Sequence, residues 1–242
     1  MTAATGQPGP WVEAWLSPPR FGVYLVAAAG DRQLALDLYE WNAVVSAAFH
    51  HDLAHLEVAL RNAYDAAIVA NTPAGLPHWT TDPYRLFPVR WRAARDGTRI
   101  DANRSPREQI ERAVRAAGPG APPGKVIAEL TFGFWRYLSI TAHHHPLWIP
   151  YLHNAFAAGT SRPAVDWPVG RLHQLRNRIA HHEPLLRRNR ATGMLSLTTQ
   201  HLVDHHGDLL TVADLISPNL RDYIAATSTV RDHIDKITRR PS

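Results

Sequence analysis

Apolar residues recur along this chain at three- and four-residue spacing, the period of one helix face. Leu34, Leu38, Trp41, Val45 and Ala48 begin the clearest run, and Leu53, Leu56, Leu60 and Ala63 extend it, with no proline or glycine between Gly30 and residue 70. This pattern predicts a long amphipathic helix over 31–70, or two with a break near His50-His51, started by Asp31 as cap. Lys125 to His143 reads as a second strong helix, and Pro146 opens another through about Ala158. A further helix is expected from Asp166, as cap, to about His182. Pro168 is tolerated in its first turn, and Pro184 disfavours α geometry at Glu183. Roughly 196–216 reads as helical. Ser217 and Pro218 then form a cap and first position for a last helix to about Thr238.

Between these elements, 71–124 reads as an irregular insert with one short helix at about 106–117, capped by Ser105 with Pro106 at its first position. Residues 1–16 are expected to be a flexible tail, and 17–242 a single domain. Strand alternation is weak throughout, so the fold class is all-α, a helical bundle with additional flanking helices. No run of about 18 apolar residues occurs, so no membrane span is expected. The first ten residues lack the basic and apolar regions of a signal peptide, and a cytoplasmic location fits.

Composition changes this picture in two ways. Of 242 residues, 26 are Lys or Arg against 21 Asp or Glu, for a net charge of +5, and only Lys125 and Lys236 are lysines. Arginine grips phosphate as a planar fork, so a phosphate-bearing partner is favoured. A GC-rich coding sequence would also raise Arg together with Ala, Pro and Gly. Cysteine is absent, which excludes disulfides and thiolate zinc sites.

The densest candidate chemistry is HQLRNRIAHHEPL, residues 173–185. With Arg176 at 0° and 100° per residue, Leu172, Leu175 and Ile179 fall at about −40° to −100° and form a buried stripe. His173, Asn177 and His181 fall at about 60° to 140°, along another flank, with Asn177 and His181 as i, i+4 neighbours. Arg176 lies between stripe and flank and can reach toward the latter. Arg178, at about 200°, is expected to face solvent. In the last turn, exposed carbonyls favour a protonated His181 and the arginines oppose it, which suits a residue that exchanges protons near neutral pH. Cleaving RNA without metal needs a base for the 2′-hydroxyl, a cation for the phosphorane oxygens and an acid for the leaving 5′-oxygen. Histidine and arginine supply all three. A helix C-terminus decorated with His and Arg for capping is the alternative.

The string Arg176-Asn177-x-x-x-His181 resembles the R-x(4–6)-H signature of the HEPN superfamily in its RN-xxx-H form. Within LRNRIAHHEPL it is similar to the Abi-like (abortive infection) branch. SPPRFGVYL, LYEWNAVVSAAF, HLEVALRNAYDAAI, LTFGFWRYL and ISPNL resemble that branch in the same order, so the likeness spans most of 17–225. The segment RRNRATGML after Pro184 does not match. The resemblance implies a helical bundle, metal-independent endoribonuclease activity, an association with phage defence and toxin action, and a homodimer whose two motifs share one cleft. It carries a catalytic role onto Arg176 and His181 and an orienting role onto Asn177. His182 also satisfies the loose spacing. Glu57 and Arg61 match an E-xxx-RN block and are implied to brace Arg176 through a carboxylate.

The adjacent histidine runs at 50–51, 143–145 and 205–206 point about 100° apart on a helix and seldom chelate one ion, so neither metal nor cofactor is expected. Phe132, Phe134, Trp135 and Tyr137 could stack bases. With Leu130, Leu138 and Ile140 beside them they read rather as core and dimer interface. Two other readings stand: a non-catalytic RNA-binding or toxin–antitoxin module with an antitoxin or regulatory partner, and a helical scaffold with no role in RNA.

Overall fold

Alanine, leucine and valine, without a single glycine or proline, carry the long apolar period of 31–70 into one element. The computed structural model of the protein describes residues 8–188, 195–196 and 198–238. Its first helices are α1 (Trp11–Leu16), α2 (Pro18–Ala27) and α3 (Arg32–Ala70). The Asp31 side chain accepts the Leu34 N–H at 2.9 Å and starts α3 as expected. The helix runs through His50-His51 unbroken for 39 residues, about 58 Å, because the buried stripe of Val45, Phe49, Leu53, Leu56, Leu60 and Tyr64 crosses that point without a gap.

Of the flexible tail expected over 1–16, residues 1–7 lie outside the described residues, and residues 8–16 carry α1 instead. Val12 and Leu16 of α1, one turn apart, are buried with Phe21, Tyr24 and Leu38. The Arg32 guanidinium donates to both Glu13 carboxylate oxygens and to the Gly9 carbonyl, at 2.5, 2.7 and 2.9 Å. Two apolar positions are too few for a period to show in the sequence.

The insert is also more ordered than expected. It contains α4 (Pro83–Leu86), an antiparallel hairpin of β1 (Trp91–Ala93) and β2 (Arg99–Asp101), and α5 (Arg104–Ala117). Trp79, Phe87 and Ile110 place it in the main core. α5 begins ahead of Ser105, which therefore caps nothing.

The helix expected over 125–143 is divided into α6 (Pro123–Ala128) and α7 (Phe132–Leu138), with extended backbone at Thr131 and again at Ile140. Leu130, Phe132 and Phe134 are all buried. On one continuous helix, residues two apart lie about 200° apart and could not all face one core. After Ile140 come a short 3-10 turn, a π turn at His144–Trp148 and a 3-10 turn at Leu152–Ala155, instead of a helix to Ala158.

The remaining helices are α8 (Arg162–Ala180), α9 (Gln200–Ile216), α10 (Pro218–Thr227) and α11 (Val230–Thr238). β3 (Arg187–Arg188) and β4 (Leu195–Ser196) pair between α8 and α9. The helix expected from Ser217 to Thr238 breaks at Ser228-Thr229. There the Ser228 hydroxyl donates to the fully buried Asp52 at 2.6 Å and lies 3.1 Å from His206 Nε2. A buried carboxylate needs such partners, and a continuing helix would carry the hydroxyl away.

The fold is all-α in substance. Leu172, Leu175 and Ile179 lie in the core as expected, with α3 and α7 beside them. The main neighbour of α8, however, is α9. Among the described residues no helix is long and apolar enough to cross a membrane.

Candidate functional site

α8 starts four residues before the expected Asp166, at Arg162, where Ser161 has extended backbone and Pro163 sits in the first turn. Asp166 is an interior residue instead. Its carboxylate lies 2.7 Å from Arg136 Nη1 of α7 and accepts from Arg162 Nη1 at 2.8 Å. The Arg136 contact is a charge contact without an aligned hydrogen bond, since that nitrogen is buried and has no hydrogen-bond partner.

Two glycines let α7 and α8 approach closely. A Cβ at Gly170 would come within 2.9 Å of Arg136 Nε, and one at Gly133 within 3.2 Å of His173 Nε2. Phe132 stacks on the His173 ring at 6.0 Å between centroids. His173 is thereby half-buried against α7, and its pKa lies below the ordinary imidazole value, first by desolvation and then by Arg136 and Arg176. Asn177 Nδ2 lies 3.2 Å from His173 Nε2, so a neutral His173 can accept from the amide. Asn177 is expected to orient the site. Its side chain engages His173, and its backbone carbonyl, at 3.0 Å, is what receives the His181 N–H.

On α3, Glu57 and Arg61 share a face as i, i+4 neighbours, and Glu57 feels the charges of both Arg176 and Arg61. Burial raises the Glu57 pKa, while Arg176, Arg61, His50 and the Phe132 amide pull it down. Arg61 Nε is buried without a hydrogen-bond partner among the described residues. No ion pair or hydrogen bond joins Glu57 to Arg176 among the described residues, so the expected hydrogen-bonded carboxylate brace is not seen, and what links the two is the lowering effect of Arg176 on the Glu57 pKa. The other arginines of α8 are tied down: Arg162 to Asp166, Arg171 to Asp208, and Arg178 to Glu183. Arg178 also donates to the Pro184 carbonyl, so the side chain lies at the surface as expected, partly exposed and engaged with the chain leaving α8. Among the described residues Arg176 alone of the four has no ion pair.

The two histidines at the end of α8 occupy different backbone states. His181 is the C-cap and is exposed. His182 follows with φ of 53°, the left-handed region. Its N–H bonds to the Ile179 carbonyl at 3.0 Å, and the Glu183 N–H bonds to Arg178 at 2.8 Å. This is a Schellman ending, normally built on glycine. His182 lines an open groove of about 340 Å³ with Asn42, Ser46 and His50 of α3. Arg176, Asn177 and His181 do not line that groove. Asn42 Oδ1 accepts the Leu185 N–H at 2.6 Å and holds the chain as it leaves α8.

Site residues therefore fall into two sets. Arg176, Glu57 and Arg61 gather with His173 and Asn177 beside α7, and His181 and His182 stand at the helix end. The sequence places His173 on the same polar flank as Asn177 but gives it no role; its contact with Asn177 and its stacking on Phe132 come from the packing of α7 on α8. The sequence likewise singles out none of Gly133, Arg136 and Gly170, whose roles depend on the α7–α8 contact and carry no local signal. The aromatic residues Phe132, Phe134 and Trp135 are spent in the core of the chain and offer no interface. Of the segment RRNRATGML, residues 189–194 lie outside the described residues. Among the described residues, no group of three or more His, Cys, Asp or Glu is placed to hold a metal ion. No family model, curated protein or solved structure matches the chain.

Proposed function

We propose that the chain is an Abi-like HEPN protein acting in the cytoplasm as a metal-independent endoribonuclease of abortive-infection or toxin type. The observation that carries this reading is the state of Arg176: half-buried, without an ion pair among the described residues, and near Arg61 around the single carboxylate of Glu57. Two guanidiniums around one carboxylate leave an excess of positive charge, which a scissile phosphate would balance.

In this mechanism neutral His181 takes the proton of the ribose 2′-hydroxyl. The 2′-oxygen attacks phosphorus while Arg176 stabilises the charge on the equatorial oxygens. The bond to the 5′-oxygen breaks, and that oxygen receives a proton from a second, protonated histidine. The products are a cyclic phosphate and a 5′-hydroxyl end. One His181 per chain cannot be base and acid at once, so a symmetric homodimer supplies the second. Asn177 positions His173, whose neutral ring stands beside Arg176.

The second reading is a non-catalytic RNA-binding or toxin–antitoxin module. It is favoured by one observation: the Asn177 side chain is engaged with His173 and makes no hydrogen bond to the His181 ring among the described residues. The two separate on incubation of the purified protein with total cellular RNA in EDTA, beside the Arg176→Ala/His181→Ala protein. Metal-free cleavage confined to the unaltered protein supports the nuclease. Equal cleavage by both, or cleavage only after adding a divalent ion, overturns it.

A further inference from the structure

The β1–β2 hairpin is the most strongly charged exposed feature outside the α8 site. Residues 90–101 carry Arg90, Arg92, Arg95 and Arg99 against Asp96 and Asp101. Both acids are already engaged. Asp96 accepts from Thr98 within the turn, and Asp101 is held by the buried Arg107. Among the described residues none of the four hairpin arginines makes an ion pair, and all four are exposed.

The hairpin is a fixed platform. Asp101 Oδ1 accepts the Arg90 and Asn103 N–H groups at 2.8 and 3.0 Å, the Ala102 N–H bonds to the Arg90 carbonyl at 2.8 Å, and Asn103 Nδ2 donates to Pro88 at 2.8 Å. Register places Trp91 opposite Asp101 and Ala93 opposite Arg99. Trp91 and Arg99 are therefore diagonal neighbours on one face, and the Arg99 guanidinium lies 5.3 Å from the centre of the Trp91 ring. That ring is 57% exposed. Arg92, opposite Ile100, occupies the other face.

We infer that this hairpin is a second nucleic-acid contact, which takes a single-stranded RNA segment by phosphate binding at Arg92, Arg95 and Arg99 and by stacking of a base on Trp91. An exposed indole among guanidiniums matches the alternation of base and phosphate along a single strand. Its placement suits the α8 site as well. Arg90 and Arg92 act on Tyr137 of α7, whose hydroxyl donates to Ala102 at the hairpin base. Tyr137 lies about 8 Å along that helix from Phe132, the residue stacked on His173. The strand bound at the hairpin thus leads to the helix that walls the candidate site. The inference rests on RNA as the partner in the proposed function, and its test is arranged to fail separately.

The test measures binding of a fluorescein-labelled, mixed-sequence single-stranded RNA by anisotropy, using the full chain with His181→Ala to prevent cleavage. In that background Trp91→Ala is expected to weaken binding about 5- to 100-fold. Arg92→Gln/Arg95→Gln/Arg99→Gln is expected to weaken it at least ten-fold and to flatten the slope of log K against log salt by about 2. A charge-matched control, Arg20→Gln/Arg115→Gln/Arg231→Gln, is expected to lose far less. The substituted side chains are exposed, so melting temperatures should not move. Unchanged binding by both hairpin variants, or an equal loss in the control, overturns the inference. So does binding to phosphatidylserine vesicles by a protein that ignores RNA. Cleavage by the His181-bearing chain is scored apart. Hairpin-dependent binding without any cleavage sinks the nuclease and leaves the hairpin, whereas cleavage with hairpin-independent binding does the reverse.

Discussion

The Asn177 side-chain amide and His173 Nε2 meet at 3.2 Å, one turn apart on α8, with the His173 ring stacked on Phe132. This contact requires an unprotonated Nε2 or an amide turned to present its oxygen. The lowered pKa of His173, from burial and from Arg136 and Arg176, favours the former. Asn177→Asp places a carboxylate there and should raise that pKa above its value in the unaltered protein. Titration of the His173 ring resonances by NMR measures the shift, and coincident curves for the two proteins would show that the contact is not made.

Arginines of the site region should divide into two kinds. Arg176→Ala removes no ion pair seen among the described residues and should cost under about 1 kcal/mol of stability. Under the proposed mechanism it should lower cleavage by roughly 100-fold or more. Arg136→Ala removes a cation from beside Asp166, which is mostly buried, and should cost about 2 kcal/mol. Urea denaturation of both variants, paired with cleavage rates, checks the division.

The two terminal histidines can be told apart through backbone strain. His182 holds φ at 53°, where a side chain is disfavoured and glycine is not. His182→Gly should therefore stabilise the protein by about 0.5–1 kcal/mol. It should leave RNA cleavage intact, whereas His181→Ala abolishes cleavage without lowering the melting temperature by more than a few degrees. Loss of cleavage in His182→Gly would reassign the catalytic role.

His143 should make the protein acid-sensitive. It is buried against Phe87 and Tyr137, its Nε2 lacks a hydrogen-bond partner among the described residues, and its pKa falls to about 4, first by desolvation and then by Arg90. His205 is likewise lowered to about 4. The unfolded chain binds these protons near 6.5 and the folded chain resists them. Stability is thus full above pH 6.5 and is lost as pH falls toward 4, by on the order of 3 kcal/mol per histidine. Asp101, lowered to about 2 chiefly by the Arg90 amide, loses its contribution only below that window. His143→Phe should stabilise by roughly 1 kcal/mol at pH 7 and flatten the loss between pH 6.5 and 4. Parallel denaturation series for the two proteins at these pH values provide the comparison.

Where one apolar stripe meets one core, the sequence by itself was sufficient. The apolar period of 31–70 and the Asp31 cap located the helical segment and its start, leaving only the possible break at His50-His51 for packing to close, and Leu172, Leu175 and Ile179 determined which face of α8 is buried. Local chemistry also marked Pro184 as ending that helix, because proline constrains the residue before it. Tertiary structure decided the rest. Leu130, Phe132 and Phe134 could not share a core on one helix, so the expected 125–143 helix broke. Buried Asp52 drew Ser228 to itself, and the last helix broke there. The company of Arg176 was decided in the same way. Glu57 and Arg61 arrive from a helix more than a hundred residues earlier, and His173 takes its setting from Gly133 and Arg136 across α7. Helical periodicity records which side of a residue is apolar, but desolvation and charge at a site come from chain segments that only packing brings together.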